Sequence, residues 1–193
     1  MVCADHDHDP HIFFCTGLLY DETIMRLLFE LDKRDYDPAA PEYRRPSARA
    51  LIIHGSRIAM VYSRKYRYCK FPGGGIEQGE TPVEALVRET AEEAGLTVIP
   101  ETVLPYGYVH RIQKGENGQT FIQDNYYYFC AVQDDPVSTH PDEYEAEEGF
   151  VLVWVTPEEA IRENRTYDHG PWDPLMTERE CMVLELLQKE GYI

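Results

Sequence analysis

The chain has 193 residues, and 18 Lys and Arg stand against 35 Asp and Glu, a formal net charge of −17 at pH 7. That length fits one domain of about 150 residues with extensions at its ends and excludes two large ones. Without a Lys/Arg block, so acidic a chain is excluded as a partner for duplex DNA or an anionic membrane, and an anionic substrate calls for bound cations.

No apolar run approaches the roughly 18 residues of a membrane span. The start, Met1-Val2-Cys3 followed by an acidic, His-rich stretch, lacks the basic and apolar regions of a secretory signal, so a cytoplasmic address is expected. The five cysteines, Cys3, Cys15, Cys69, Cys130 and Cys181, are odd in number and contain no CxxC pair. They read as reduced thiols rather than a disulfide framework or a zinc cluster.

In chain order, residues 1–45 read as an N-terminal extension. It has an apolar start at residues 12–14, a short amphipathic helix around residues 23–31, and then Pro38, Pro41 and Pro46, which stop regular structure. Its acidic and histidine-rich segment, residues 5–11, offers transition-metal ligands or is a plain polar terminus. The extension is compatible with covering a site or building a homodimer interface. A second unit, residues 46–165, opens with β-rich runs at 50–53 and 58–62 joined by His54-Gly55-Ser56-Arg57, the pattern of a hairpin. A glycine-rich loop at 73–79 follows. Thr81-Pro82-Val83-Glu84 is a capping box that starts a helix, and Gly95 ends it. Residues 98–113 and 120–133 are strand-like and are separated by Lys114-Gly115-Glu116-Asn117-Gly118, which predicts a long hairpin. Residues 150–155 form a further strand. Thr156-Pro157-Glu158-Glu159 predicts a short helix, and Thr177-Glu178-Arg179-Glu180 predicts the start of a last one through about Lys189, within a C-terminal unit 166–193 packed on the same domain. Strands and helices interleave, which defines an α/β chain.

The chemistry concentrates on the central helix. Glu89, Glu92 and Glu93 stand at i, i+3 and i+4 and share an arc of about 100°, which is unfavourable unless something neutralises them. Val83, Leu86, Val87, Thr90 and Ala94 occupy the adjoining face and would dock the helix on a sheet. Clustered carboxylates suit Mg²⁺ or Mn²⁺. The preceding Phe71-Pro72-Gly73-Gly74-Gly75 lets the backbone come close to such an ion or to phosphates. Arg67 and Lys70, with Tyr68 between them, belong to the strongest local basic cluster, which either steers a phosphate or hydrates a loop. Tyr126-Tyr127-Tyr128 would alternate between faces, to pack in the core or stack on a base.

Gly74, five residues, Glu80, seven residues and then Arg88-Glu89-Thr90-Ala91-Glu92-Glu93-Ala94-Gly95-Leu96 resemble the Nudix box, G-x5-E-x7-R-E-U-x-E-E-x-G-U, where U is a bulky aliphatic. With each residue type at about 5 to 7% frequency, a chance match of its fixed positions at a given start is on the order of 10⁻⁹ to 10⁻⁸. Thr90 at the first U position is the one departure, and it bears on packing rather than chemistry. The Phe-Pro-Gly-Gly lead-in and Trp154-Val155-Thr156-Pro157-Glu158-Glu159-Ala160 extend the resemblance over roughly residues 47–163.

The resemblance implies a Nudix-type α/β/α sandwich around a mixed β-sheet. It implies that Glu89, Glu92 and Glu93 bind metal, with the Gly74 carbonyl as a further ligand, and that Arg88 and Glu80 order the glutamates. The expected activity is Mg²⁺- or Mn²⁺-dependent hydrolysis of a diphosphate linkage in a small nucleotide-like substrate. The general base is either Glu89 or a carboxylate among residues 142–148, a segment that otherwise reads as a solvated acidic connector. A nucleoside triphosphate, as in MutT-like members, is the default substrate, and an ADP-ribose-like nucleotide sugar is the alternative. A ligand-sensing module without turnover is the reading from a different class.

Overall fold

The computed structural model describes residues 25–133, 138–139 and 143–193, with the backbone alone at 143 and 144. Residues 5–11 and 12–14, together with Cys3, Cys15 and Asp142, lie outside these residues.

Two sheets form the frame. In the first, a long hairpin of β7 (Leu104–Lys114) and β8 (Thr120–Phe129) carries β1 (Leu27–Asp32) on its β7 edge. On its other edge, β8 pairs in parallel with both β2 (Glu42–Arg44) and β3 (Ser47–Leu51). The second sheet centres on β5 (Arg57–Ser63), which pairs antiparallel with β4 (Ile53–His54), β6 (Tyr68–Lys70) and β9 (Phe150–Val155). The hairpin expected around residues 54–57 is present as β4 and β5 with Gly55 and Ser56 at its tip. The first run, however, divides after Leu51, so that β3 serves one sheet and β4 the other.

The helix expected over residues 23–31 is not formed: residues 27–32 are a strand whose backbone pairs with β7 from Leu27↔Tyr108 to Asp32↔Ile112. A short apolar run satisfies either period, and the ladder offered by β7 decides between them. The last helix, α4 (Pro174–Lys189), begins one turn earlier than the sequence suggests. Asp173 is its N-cap and accepts a hydrogen bond from Leu175 N at 3.0 Å, while Thr177 sits inside the first turn with its hydroxyl on Pro174 O. Proline at N1 fits that earlier start.

Three more helices complete the layers: α1 (Pro82–Ala94), α2 (Glu143–Glu148) and α3 (Pro157–Thr166). The capping box of Thr81 and Glu84 and the left-handed Gly95 (φ 66°) bound α1 as its sequence predicts. Strand alternation builds one core on each side of the frame. Ala48, Ala50, Ile52, Ala59 and Val61 meet Ala85, Leu86 and Ala94 of α1. Leu51, Ile58 and Met60 point the other way, to Ala160 of α3 and Val183, Leu184 and Leu187 of α4. The result is an α/β/α sandwich. Tyr127 and Tyr128 divide between the two cores, and Tyr126 packs beside Tyr128. Cys69, Cys130 and Cys181 are buried and unpaired, and burial pushes each thiol up to about 12. Among the described residues, no helix is long and apolar enough to cross a membrane.

Thr90, the departure from the box, is fully buried against this core, and its hydroxyl has no hydrogen-bond partner. An unsatisfied buried hydroxyl costs stability, whereas valine has nearly the same shape without it. Thr90→Val is therefore expected to raise unfolding stability by about 1 kcal/mol, read by denaturant titration; a destabilised variant would contradict this account of the position.

Candidate active site

The site is built where the loop after β6 passes between β3 and α1. Backbone bonds hold the loop to β3: Ala50 N donates to Pro72 O at 2.8 Å, Ala48 N to Gly74 O at 3.0 Å, and Ile76 N to Pro46 O at 3.0 Å. Glycine is required at Gly73 and leaves room for a carboxylate at Gly74. At Gly73 (φ +128°) a Cβ would stand 2.1 Å from Ala48 O, and at Gly74 it would stand 2.2 Å from the Glu89 carboxylate. The loop can thus lie directly against the helix face that carries the glutamates.

Arg88 organises that face. Its guanidinium reaches Glu80 through two bonds of 2.9 and 2.8 Å, Glu89 at 2.7 Å, Glu92 at 3.3 Å and Gly75 O at 3.2 Å. The Arg88 hydrogen bonds hold the Glu80 carboxyl below its ordinary range. Glu89 is pushed up by burial, against the opposing pull of Arg88. Glu92 is the most exposed of the three helix glutamates.

Glu93 points inward. It is 3% exposed, accepts a hydrogen bond from Gly73 N at 3.1 Å and pairs with Lys70 Nζ at 2.5 Å. Lys70 also reaches Glu145 of α2 at 3.7 Å, so one ammonium serves two buried carboxylates. Burial raises the Glu93 carboxyl to about 7, Lys70 opposes the rise and the neighbouring Glu145 adds to it. Within the segment 142–148, Glu145 is thus the described carboxylate that reaches the site. Glu148 instead accepts bonds from Ser63, Tyr68 and Trp172, and Glu147 pairs with Lys65 on the surface.

The expected substrate-binding trio does not form one surface. Lys70 is engaged by Glu93 and Glu145. Tyr68 is 2% exposed, and its hydroxyl donates to Glu148 at 2.9 Å. Arg67 lies apart, stacked 3.4 Å over the Tyr167 ring and paired with Glu163. Sequence reasoning missed Arg49 of β3. This arginine is buried, donates from Nη1 to the carbonyls of Phe71 and Gly73, and bears electrostatically on both Glu89 and Glu93. Its alternation with core residues of β3 was the one trace of it in the sequence.

The donor chemistry fits a hard divalent cation. Glu80, Glu89, Glu92, Glu93 and Glu145 face Arg88, Lys70 and Arg49, which leaves a surplus of two negative charges beside a loop carbonyl. Among the described residues no three of the carboxylates converge on one point; Arg88 gathers Glu89 and Glu92, and Lys70 gathers Glu93 and Glu145.

The family model for the NUDIX domain matches residues 43–176, and the chain belongs to the Nudix family. It is 43% identical over 49 residues to an RNA pyrophosphohydrolase of Photobacterium profundum, a match covering 24% of this chain and 28% of that protein. It is 64% identical over 28 residues to an 8-oxo-dGTP diphosphatase of Escherichia coli, covering 14% of this chain and 22% of the relative. The chain thus spans less than a third of the length of these curated relatives. A solved Nudix hydrolase from Nitrosomonas europaea superposes with a TM-score of 0.54 at 18% identity, over 76% of this chain and 91% of that one, which supports the fold.

The buried carboxyl of Glu93 makes the cation-free protein sensitive to pH. Its folded value lies near 7 against 4.5 for the free side chain, so its contribution is intact below about 4.5 and is lost as pH rises through 7. In chelator, the stability of Glu93→Gln relative to the parent is expected to rise by roughly 1 to 3 kcal/mol as pH climbs from below about 4.5 to above 7. A difference between the two proteins that stays constant across that range, by thermal melts, would contradict the assignment.

Proposed function

We propose that this protein is a Mg²⁺- or Mn²⁺-dependent hydrolase that cuts the diphosphate linkage of a small nucleoside diphosphate derivative. One observation carries the reading: a fixed cluster of five carboxylates, set against three cationic side chains, lies against a glycine loop. The two relatives named a pyrophosphohydrolase and a diphosphatase support the reaction class.

Glu89, Glu92 and Glu93, with the Gly74 carbonyl, would hold the cation. Bound there, it would offset charge on the phosphate oxygens and lower the pKa of a coordinated water. In the reaction, water oxygen forms a bond to one phosphorus, the bond from that phosphorus to the bridging oxygen breaks, and the bridging oxygen leaves on the other phosphate. A carboxylate takes the proton of the water. Glu89 and Glu145 are the two groups in this role, both held near the loop by cationic neighbours. Arg88 fixes Glu89 and Glu92 in place and is supported by Glu80. Lys70 keeps Glu93 and Glu145 together in the interior.

A nucleoside triphosphate cut into a monophosphate and pyrophosphate is the leading substrate, and a nucleotide sugar is the alternative. A sensing module without turnover is disfavoured, since a binding site alone gains nothing from a surplus of buried carboxylate charge.

Glu93→Gln is expected to lose cation-dependent turnover by orders of magnitude while remaining folded by circular dichroism. The measurement is phosphate or pyrophosphate release from a panel of nucleoside triphosphates, nucleotide sugars, dinucleoside polyphosphates and coenzyme A. Near-parental activity in the variant would sink the ligand assignment, and no cleavage of any compound would sink the hydrolase reading.

A further inference from the structure

Beside the glycine loop, a cleft of about 860 Å³ opens between β2, the β7–β8 hairpin and the start of α4. Its walls carry Arg45, Arg49, Arg111, Lys114 and Arg179, opposed by the carboxylates of Asp35, Glu116 and Asp173. Five cationic and three anionic side chains thus line this cleft, in a chain of net charge −17.

The cations divide into two kinds. Arg111 is bonded to Asp173 at 2.8 Å and Arg179 to Glu180 at 2.5 Å, so both are committed to the fold. Arg45 is exposed, and among the described residues its guanidinium has no carboxylate or hydrogen-bond partner. It rests on the glycine loop, with Nε 3.4 Å and Nη2 3.6 Å from where a Cβ of Gly75 would be. Arg49 is 9% exposed and has only loop carbonyls as hydrogen-bond partners, and its Nε is buried without one.

These two arginines touch the loop at Gly75 and at Gly73, and the glutamate site touches the same residues through Arg88 and Glu93. Arg45 and Arg49 of the cleft thus reach the same five-residue loop that the carboxylate site holds. A substrate held at the glutamates and extending past Gly75 meets Arg45. In a chain with so many acids, a cation left without a carboxylate there favours an anionic ligand. Tyr43 and Phe121, with ring centres 6.1 Å apart, line the same wall and give a flat group an apolar surface.

We infer that Arg45, backed by Arg49, binds a further phosphate of the substrate in this cleft, so that the enzyme selects nucleoside polyphosphates over nucleotide sugars, whose outer group is uncharged. The inference rests on the hydrolase reading above and names its substrate class. Arg45 acts in it as a specificity residue, one bond network removed from the carboxylates.

The test measures binding, separately from turnover. The full chain is titrated calorimetrically with α,β-methylene-ATP, which resists cleavage, and with ADP-ribose, each in Mg²⁺ and again in chelator. The parent is expected to bind the triphosphate analogue about tenfold more tightly than ADP-ribose or better. Arg45→Ala should remove that preference and leave ADP-ribose binding unchanged, and Arg45→Lys should keep part of it. Equal affinity of the parent for both compounds, an equal loss for both in Arg45→Ala, or no binding of the analogue would each overturn the inference. A failed hydrolase reading shows instead as absent cleavage across the panel while the binding preference persists.

Discussion

Two buried glutamates, one from each helical layer, accept hydrogen bonds from the backbone of the same loop. Glu180 of α4 takes Phe71 N at 3.3 Å, and Glu93 of α1 takes Gly73 N at 3.1 Å. Each carboxylate is tolerated in the interior because a cation sits on it, Arg179 in one case and Lys70 in the other. The loop is therefore fastened from above and below while β3 holds its length. The positions of the helix glutamates, of Arg49 and of the cleft all follow from that fastening. Without it the glycines would be merely flexible, and the carboxylates would repel one another.

The clamp also sorts the charges of an acidic protein. Negative charge is concentrated on the α1 face of the loop, where a divalent cation can be held. Positive charge is gathered in the neighbouring cleft from residues far apart in sequence: Arg45 before β3, Arg49 within it, Arg111 on β7 and Arg179 on α4. The two sets of side chains meet at the loop, Arg49 and Glu93 both at Gly73 and Arg45 and Arg88 both at Gly75.

This arrangement sets what the sequence could disclose. Elements with their own local chemistry were legible: the two threonine capping boxes, the Gly95 stop, the β7–β8 hairpin and the spacing of Glu80, just before α1, from Arg88, Glu89, Glu92 and Glu93 on it. Features decided by partners distant in sequence were not. Residues 27–32 carry a pattern that suits a helix and become a strand because β7 offers an unpaired edge. The basic run around Arg67 and Lys70 is compact in sequence, yet Arg67 turns to Glu163 and Tyr167 while Lys70 turns inward. The cationic cleft has no compact trace at all. Glu145 looked like one member of a solvated acidic connector, and only the packing of α2 distinguishes it from Glu147 and Glu148.

The division of one extended run into β3 and β4 has a consequence for how this chain can change. Ala48, Ala50 and Ile52 belong to one core and Leu51 to the other, while the main chain of the same stretch fastens the glycine loop. A one-residue insertion or deletion there would exchange the two sets of side chains and slide the loop past Glu93 together. Sequence drift in this family member is thus free to reshape the cleft walls through single substitutions, whereas the length of the segment from 47 to 54 is locked by both cores and the site at once.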